Sequence, residues 1–326
     1  VKLFPLCFLG RIFRWWCLCA GLLPVLAYGH NVYSTPKILV LDWSSQEVMS
    51  YIAGQLIETQ NIPVEYVHAR SEQQWDLLTG HGADVQVEVW EGTMAEAFNF
   101  FVSRHSIIDA GSHDAKTREE WWYPSYVKEL CPGLPSWESL KECASVFATK
   151  ETSPKGRYMT GPWSTQDHVR IRALGLNFSL VEYPNGEALN RELKKAIAKK
   201  LPIMIYNWTP NWVGHVYDGE FVEFPEYKPE CETNPYWGYN KRSLWDCGNP
   251  KNGWLKKATS TRLPTISPCA FAIIKAMNFQ DFDIAELASL VDYKGMTVKA
   301  AAVHWLNENP TVWQPWIRQE ECKKAN

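Results

Sequence analysis

The chain has 326 residues, 13% of them aromatic, and seventeen of them are Trp. With 21% charged and 46% hydrophobic residues it is globular rather than disordered, and its length suits about two domains. A formal net charge of −3 excludes a phosphate-tracking protein, which needs a strong positive excess, so nucleic acid is not an expected partner.

Residues 1–29 read as a signal peptide. Lys2, Arg11 and Arg14 are their only charges, an apolar run covers Trp15 to Ala27, and the segment ends in Ala27-Tyr28-Gly29. This order of basic, apolar and small residues fits cleavage after Ala27 or Gly29, and the run is short of the ~20 residues a membrane span needs. Removal would shift the charge from −3 to −6 and take Cys7, Cys17 and Cys19 away.

Beyond this segment strands and helices alternate. Ile38–Asp42 reads as a strand, followed by a helix carrying Val48, Ile52 and Leu56. Val64–Val67 is a second strand, Trp75, Leu77 and Leu78 mark a short helix, and Val85–Val89 is a third strand. Further on, Leu189, Leu193 and Ile197 mark a helix and Pro202–Tyr206 a strand, and helices are expected around Ile284–Val291 and Val298–Leu306. Such alternation predicts an α/β fold with mainly parallel sheets.

One local pattern recurs. Trp43, Trp90, Trp163 and Trp208 each close a strand-like run and are followed by a helix-start signal. Ser44/Glu47 and Thr93/Glu96 have capping-box spacing, Ser164/Asp167 a looser version, and Thr209-Pro210 reads as an N-cap with Pro at the first helical position. In open α/β sheets ligands sit beyond the carboxyl ends of strands, so these four indoles are expected to share a site. Trp75, Trp137 and Trp305 are expected in the core instead.

Converging indole faces suit a cation that makes no hydrogen bonds, above all a methylated ammonium, at roughly 0.5–2 kcal/mol per desolvated ring. First-turn amides after Ser44 and Ser164 would suit a carboxylate, as in glycine betaine. The acids beside the tryptophans, Asp42, Glu88 and Glu91, would favour a bare cation such as choline or, when protonated, the oxygen of an N-oxide. Sugars also stack on Trp but need more polar partners than these segments offer.

Six cysteines remain after residue 29, an even number that reads as disulfides in an exported chain. Cys131–Cys143 and Cys231–Cys247 are the simplest pairs, and sequence alone leaves the pairing of Cys269 and Cys322 open. Zinc is the rival reading, but the chain has no CxxC pair. Glu232, Asn234, Asp246 and Asn249 are oxygen ligands that raise calcium as an alternative, although their spacing fits no known loop. No cofactor is expected.

At these motifs the sequence resembles the glycine betaine/choline/proline-betaine family of substrate-binding proteins of ABC transporters, from about Lys37 to Trp316. Val85–Trp90 with Glu91-Gly92-Thr93 is similar to the family's strand ending in a cage Trp. Ile205–Trp212 resembles its Trp-Thr/Ser-Pro-His-Trp motif, with Asn211 in place of the His, and Trp122–Val127 is similar to its crossing between lobes. The resemblance implies a two-lobed periplasmic binding protein fold (type II), each lobe a mainly parallel sheet flanked by helices, with lobe 1 at 36–119 plus 218–326 and lobe 2 at 120–217. It implies a monomer that closes on a small methylated ammonium ligand and delivers it to ABC permease subunits. Trp90 and Trp208 are the implied cage walls, Trp43 and Trp163 match by position, and Trp122 or Tyr123 adds a fifth aromatic. The two short cysteine loops resemble the branch that includes trimethylamine N-oxide binders.

The competing classes are a secreted carbohydrate-binding protein and an exported enzyme. The sequence contains no GxGxxG, P-loop, HExxH or GxSxG.

Overall fold

The computed structural model describes residues 35–163 and 166–323. The expected signal segment and Ser164 lie outside them. The described residues form nine strands: β1 (Lys37–Val40), β2 (Glu65–His68), β3 (Val85–Trp90), β4 (Ile107–Pro124), β5 (Gly156–Thr160), β6 (Phe178–Glu182), β7 (Met204–Thr209), β8 (Gly219–Phe221) and β9 (Gly253–Ser260). Their order is β2-β1-β3-β9-β4-β7-β5-β6, with β8 on β4. β2-β1-β3 pair in parallel at one end and β7-β5-β6 at the other, while β9 and β4 run antiparallel between them.

β4 joins the two ends because it changes partners along its length. Ile107–Thr117 pairs with β9, Arg118–Trp122 with β7, and Trp122–Pro124 with β8. Each end has its own core. Ile38, Val40, Val85, Val87 and Val89 pack with the helix Ser44–Glu58 and with the C-terminal helices Asp281–Asp292 and Val298–Glu308. Trp121, Tyr123, Tyr158 and Met204 lie in a second cluster; Trp122, Met159, Leu193 and Trp212 lie in a third.

Residues 219–224 lie on the second side of β4: β8 pairs with Trp122–Pro124, and Val222 and Phe224 enter the second cluster. The described cysteines form three disulfides, Cys131–Cys143, Cys231–Cys247 and Cys269–Cys322. The last ties the helix Pro268–Ala276 to the chain's final helical turn.

The helix starts differ from expectation. The helix Ser44–Glu58 begins one residue early, with Trp43 at its N-cap in extended backbone, so the Ser44 hydroxyl donates to Asp292 Oδ1 (2.7 Å). The helix Glu91–Ser103 begins two residues before Thr93, whose hydroxyl donates to Glu119 Oε1 (2.8 Å). β7 runs through Thr209 because Thr209 pairs with Arg118, and helix resumes only at Val213–Val216. Trp208 is therefore a strand residue.

Candidate ligand site: an aromatic cavity at the strand ends

The four strand-end tryptophans come together. Trp43, Trp90, Trp163 and Trp208 line one small cavity of about 30 Å³ with Tyr206, Glu119, Thr93 and Met94. Trp43 and Trp90 are 6% and 3% exposed, which their apolar bodies favour and their N–H groups would oppose without acceptors.

That need is met by Glu88. Two residues before Trp90 on β3, it lies on the same face of the strand. Its Oε1 accepts from Trp43 Nε1, Trp90 Nε1 and Ser45 Oγ, each at 2.9 Å. Gln86 supports the next layer. Its Oε1 accepts from Glu88 N (3.2 Å) and Gln46 Nε2 (2.9 Å), and its Nε2 donates to Gln74 Oε1 (2.9 Å). Gln86 and Glu88 alternate with the valines of β3 and are as buried as they are. Helices cover both faces, and a hydrogen-bonded polar layer fills one of them.

On the other side the rings hold one another. Trp163 meets Trp208 edge to face (5.2 Å between centroids, 76°), and Tyr206 lies 5.7 Å from Trp163 and 5.9 Å from Trp208. Tyr206 and Trp208 share a face of β7 by their two-residue spacing. Gly161 gives Trp163 its place, since a Cβ there would run into the indole.

The acid lining the cavity is Glu119, opposite Trp208 in the β4–β7 ladder. Its Oε1 accepts from the hydroxyls of Thr93 (2.8 Å) and Tyr206. Its Oε2 is buried without a complete hydrogen bond and lies against Gly92, where a Cβ would collide with it. Burial pushes the carboxyl up to about 7, against the pull of Tyr206, Thr93 and the amides of Gly92 and Thr93. Burial likewise pushes Glu88 up to about 7, its three donors pulling down and Glu119 adding to the rise. No Lys, Arg or His is among the described residues lining this cavity.

Residues 37–308 match the family described as the substrate binding domain of ABC-type glycine betaine transport systems. The chain belongs to that family. It is a substrate-binding component of ABC-type transport, not an enzyme. It is 35% identical over 303 residues to the trimethylamine N-oxide-binding protein of Pelagibacter ubique (strain HTCC1062), covering 88% of this chain and 93% of that protein. Among solved structures, lactococcal OpuAC in its closed form with glycine betaine superposes with a TM-score of 0.64 at 17% identity, covering 87% of this chain and all (100%) of that one. A choline-binding protein of an ABC transporter, in complex with choline, gives 0.68 at 13% identity, covering 89% and 96%. ProX from Borrelia burgdorferi gives 0.67 at 18%, covering 90% and 100%. At such identities the structures establish the fold, that of type II periplasmic binding proteins. Among the described residues no helix is long and apolar enough to cross a membrane.

The remaining expected residues of this binding protein lie elsewhere. Trp122 and Tyr123 point to opposite faces of β4, and each is buried in a core cluster rather than in the cavity. Glu91 accepts the backbone N–H of Trp254 (2.9 Å) through Oε2 and lines a neighbouring cavity with Glu72, Glu96 and Glu232. Ser44 borders a second cavity, lined by Asp42, Glu47 and Asp292 and also by Arg191 and Lys194, so the helix terminus there faces carboxyls. Burial and the neighbouring Asp292 and Asp42 raise Glu47 to about 7. The helix end that reaches the aromatic cavity is that of Glu91–Ser103, through Thr93 and Met94. Trp212 is fully buried in the third cluster. Trp137 and Trp305 are core residues as expected, while Trp75 is half-buried against Phe101 at the edge of the Glu91 cavity.

Sequence reasoning missed Glu119, Tyr206, Thr93 and Met94 as lining residues. Tyr206 had a signal, two residues before Trp208 on one strand. Glu119 had none, because its partners lie 26 and 87 residues away.

Proposed function

We propose that this protein captures a small trimethylammonium compound in the aromatic cavity, with trimethylamine N-oxide the best fit, and delivers it to an ABC permease from the periplasm after export by residues 1–29. The observation that carries the reading is four indoles and one buried carboxyl around one cavity, with no cationic side chain among the described residues of its lining. Indole faces stabilise methylated ammonium by about 0.5–2 kcal/mol per ring. Two O–H donors occupy Glu119 Oε1, so a proton on this carboxyl sits on Oε2 and can be donated. An N-oxide oxygen accepts that proton's hydrogen bond. The carboxylate of glycine betaine would meet Glu119 with no positive group to balance it. The trimethylamine N-oxide-binding relative supports the same ligand.

Two lobes would close on the ligand about β4, where the strand changes partners at residues 117–118. We take them as 36–117 with 253–323, and 118–252. The segment 218–252, with residues 118 and 119, is moved from the expected first lobe because β7 and β8 pair with β4 from Arg118 onward. Trp43 and Trp90 then belong to one lobe, Trp163, Trp208 and Tyr206 to the other.

Titration of tryptophan fluorescence at pH 6 and pH 8 tests the polar end. With Glu119 titrating near 7, its protonated form prevails below and its carboxylate above. Trimethylamine N-oxide should bind more tightly at pH 6, and Glu119→Gln should remove most of that pH dependence. Choline, a cation with a hydroxyl to donate, would show the opposite sign. Tightest binding of glycine betaine would refute the polar end assigned here, and silence towards every methylated amine would refute the function.

A further inference from the structure

Two of the four cavity indoles share one anchor atom. Trp43, which follows β1, and Trp90, which ends β3, both donate to Glu88 Oε1, and Ser45 adds a third bond to the same oxygen. An indole N–H only donates, so a buried indole needs an acceptor in its ring plane. One oxygen that accepts from two rings fixes the rotation of both. Rotation matters because the ring face is negative and the ring edge positive, so a turned indole offers a cation its repulsive side. Glu88 is fully buried, is absent from the cavity lining, and stands on a strand braced by the Gln86 layer.

We propose that Glu88 is the positioning residue of the cage: its acceptor oxygen holds the Trp43 and Trp90 rings face-on to the methylated ammonium without touching the ligand. This rests on the function proposed above and assigns the cage geometry to a residue behind it.

The test compares Glu88→Gln, which keeps an acceptor oxygen, with Glu88→Met, which has similar volume and none. Glu88→Gln keeps the acceptor and is expected to fold, whereas Glu88→Met leaves three buried donors unpaired and is expected to lose stability as well. Indole N–H resonances of ligand-free protein, assigned with Trp43→Phe and Trp90→Phe, report the hydrogen bonds directly. Glu88→Gln should keep both resonances near their positions and trimethylamine N-oxide affinity within about threefold, whereas Glu88→Met should move both and weaken binding by about tenfold or more. The proposal is overturned if Glu88→Met leaves the resonances or the affinity unchanged. It is equally overturned if Glu88→Gln loses as much as Glu88→Met, because charge rather than the acceptor would then be responsible. Should Glu88→Met fail to fold, Glu88→Gln decides: both resonances kept supports the proposal, both lost overturns it. If wild-type protein binds no methylated amine, the function fails separately, and the resonances still show whether Glu88 orients the rings.

Discussion

The two sides of the aromatic cavity are built by different forces. Trp43 and Trp90 are held by directional bonds to one carboxyl oxygen. Trp163 and Trp208 are held by ring packing against each other and against Tyr206, which alone on this side is anchored by a hydrogen bond, to Glu119, and the Trp163 N–H is buried without a partner. A hydrogen bond specifies rotation, whereas ring packing tolerates several offset and tilted arrangements at similar energy. The first side is therefore set in advance, and the second can adjust to a ligand.

The largest expected effects test that both sides are needed at all. Trp90→Ala and Trp208→Ala should each weaken ligand binding by more than about tenfold, the removal of one desolvated cation–π partner, with circular dichroism unchanged. If Trp75→Ala or Trp305→Ala alone weakened binding, the division between cavity and core would be wrong.

Phenylalanine replacements divide the two sides more finely. Phe keeps a ring and loses the N–H. Trp43→Phe and Trp90→Phe also lose the bond to Glu88, so each should cost about tenfold in affinity. Trp163→Phe loses no hydrogen bond and should cost about threefold, the difference between the indole and benzene faces. Equal losses in the titration would remove the distinction between bonded and stacked sides.

Much of this was legible in the chain, and what was not has a physical reason. Strand–helix alternation and a Trp at each of four strand ends are local patterns, and local patterns fix which face a side chain takes. Trp90 and Trp208 could be placed from their own neighbours. Trp122 and Tyr123 could not: adjacent strand residues point to opposite faces, and which faces are covered depends on elements far along the chain. Glu119 was invisible for a related reason. It becomes a cavity residue only because β4 passes from β9 to β7 at that point, which is a property of the sheet order. Capping-box spacing misled because the hydroxyls of Ser44 and Thr93 found acidic partners 248 and 26 residues away.

The smallest expected effect on affinity comes from one of the two short disulfide loops, and the other loop separates from it. Cys131–Cys143 packs inside the second core. Opening it should cost about 3 kcal/mol of stability and leave affinity within a factor of about two. Cys231–Cys247 closes a loop of similar length, but its end reaches the strand that carries Glu119. Cys247 O accepts from Arg170 Nε (2.8 Å), and Arg170 pairs with Glu120 (2.8 Å) and Asp167 (2.9 Å), all buried. Asn249 donates through its side chain to the Glu119 carbonyl (2.6 Å) and through its backbone to Glu120 Oε2 (2.9 Å). Asn249 thus has a backbone-holding role on the stacked side of the cavity. A Cys231→Ala/Cys247→Ala double variant should therefore lose a similar stability and also bind about threefold to tenfold more weakly, with the pH dependence of binding shifted through Glu119. Thermal melts and titrations at pH 6 and pH 8 on both double variants give the comparison. An unchanged pH profile in the second variant would mean that the loop stabilises the lobe without reaching the site.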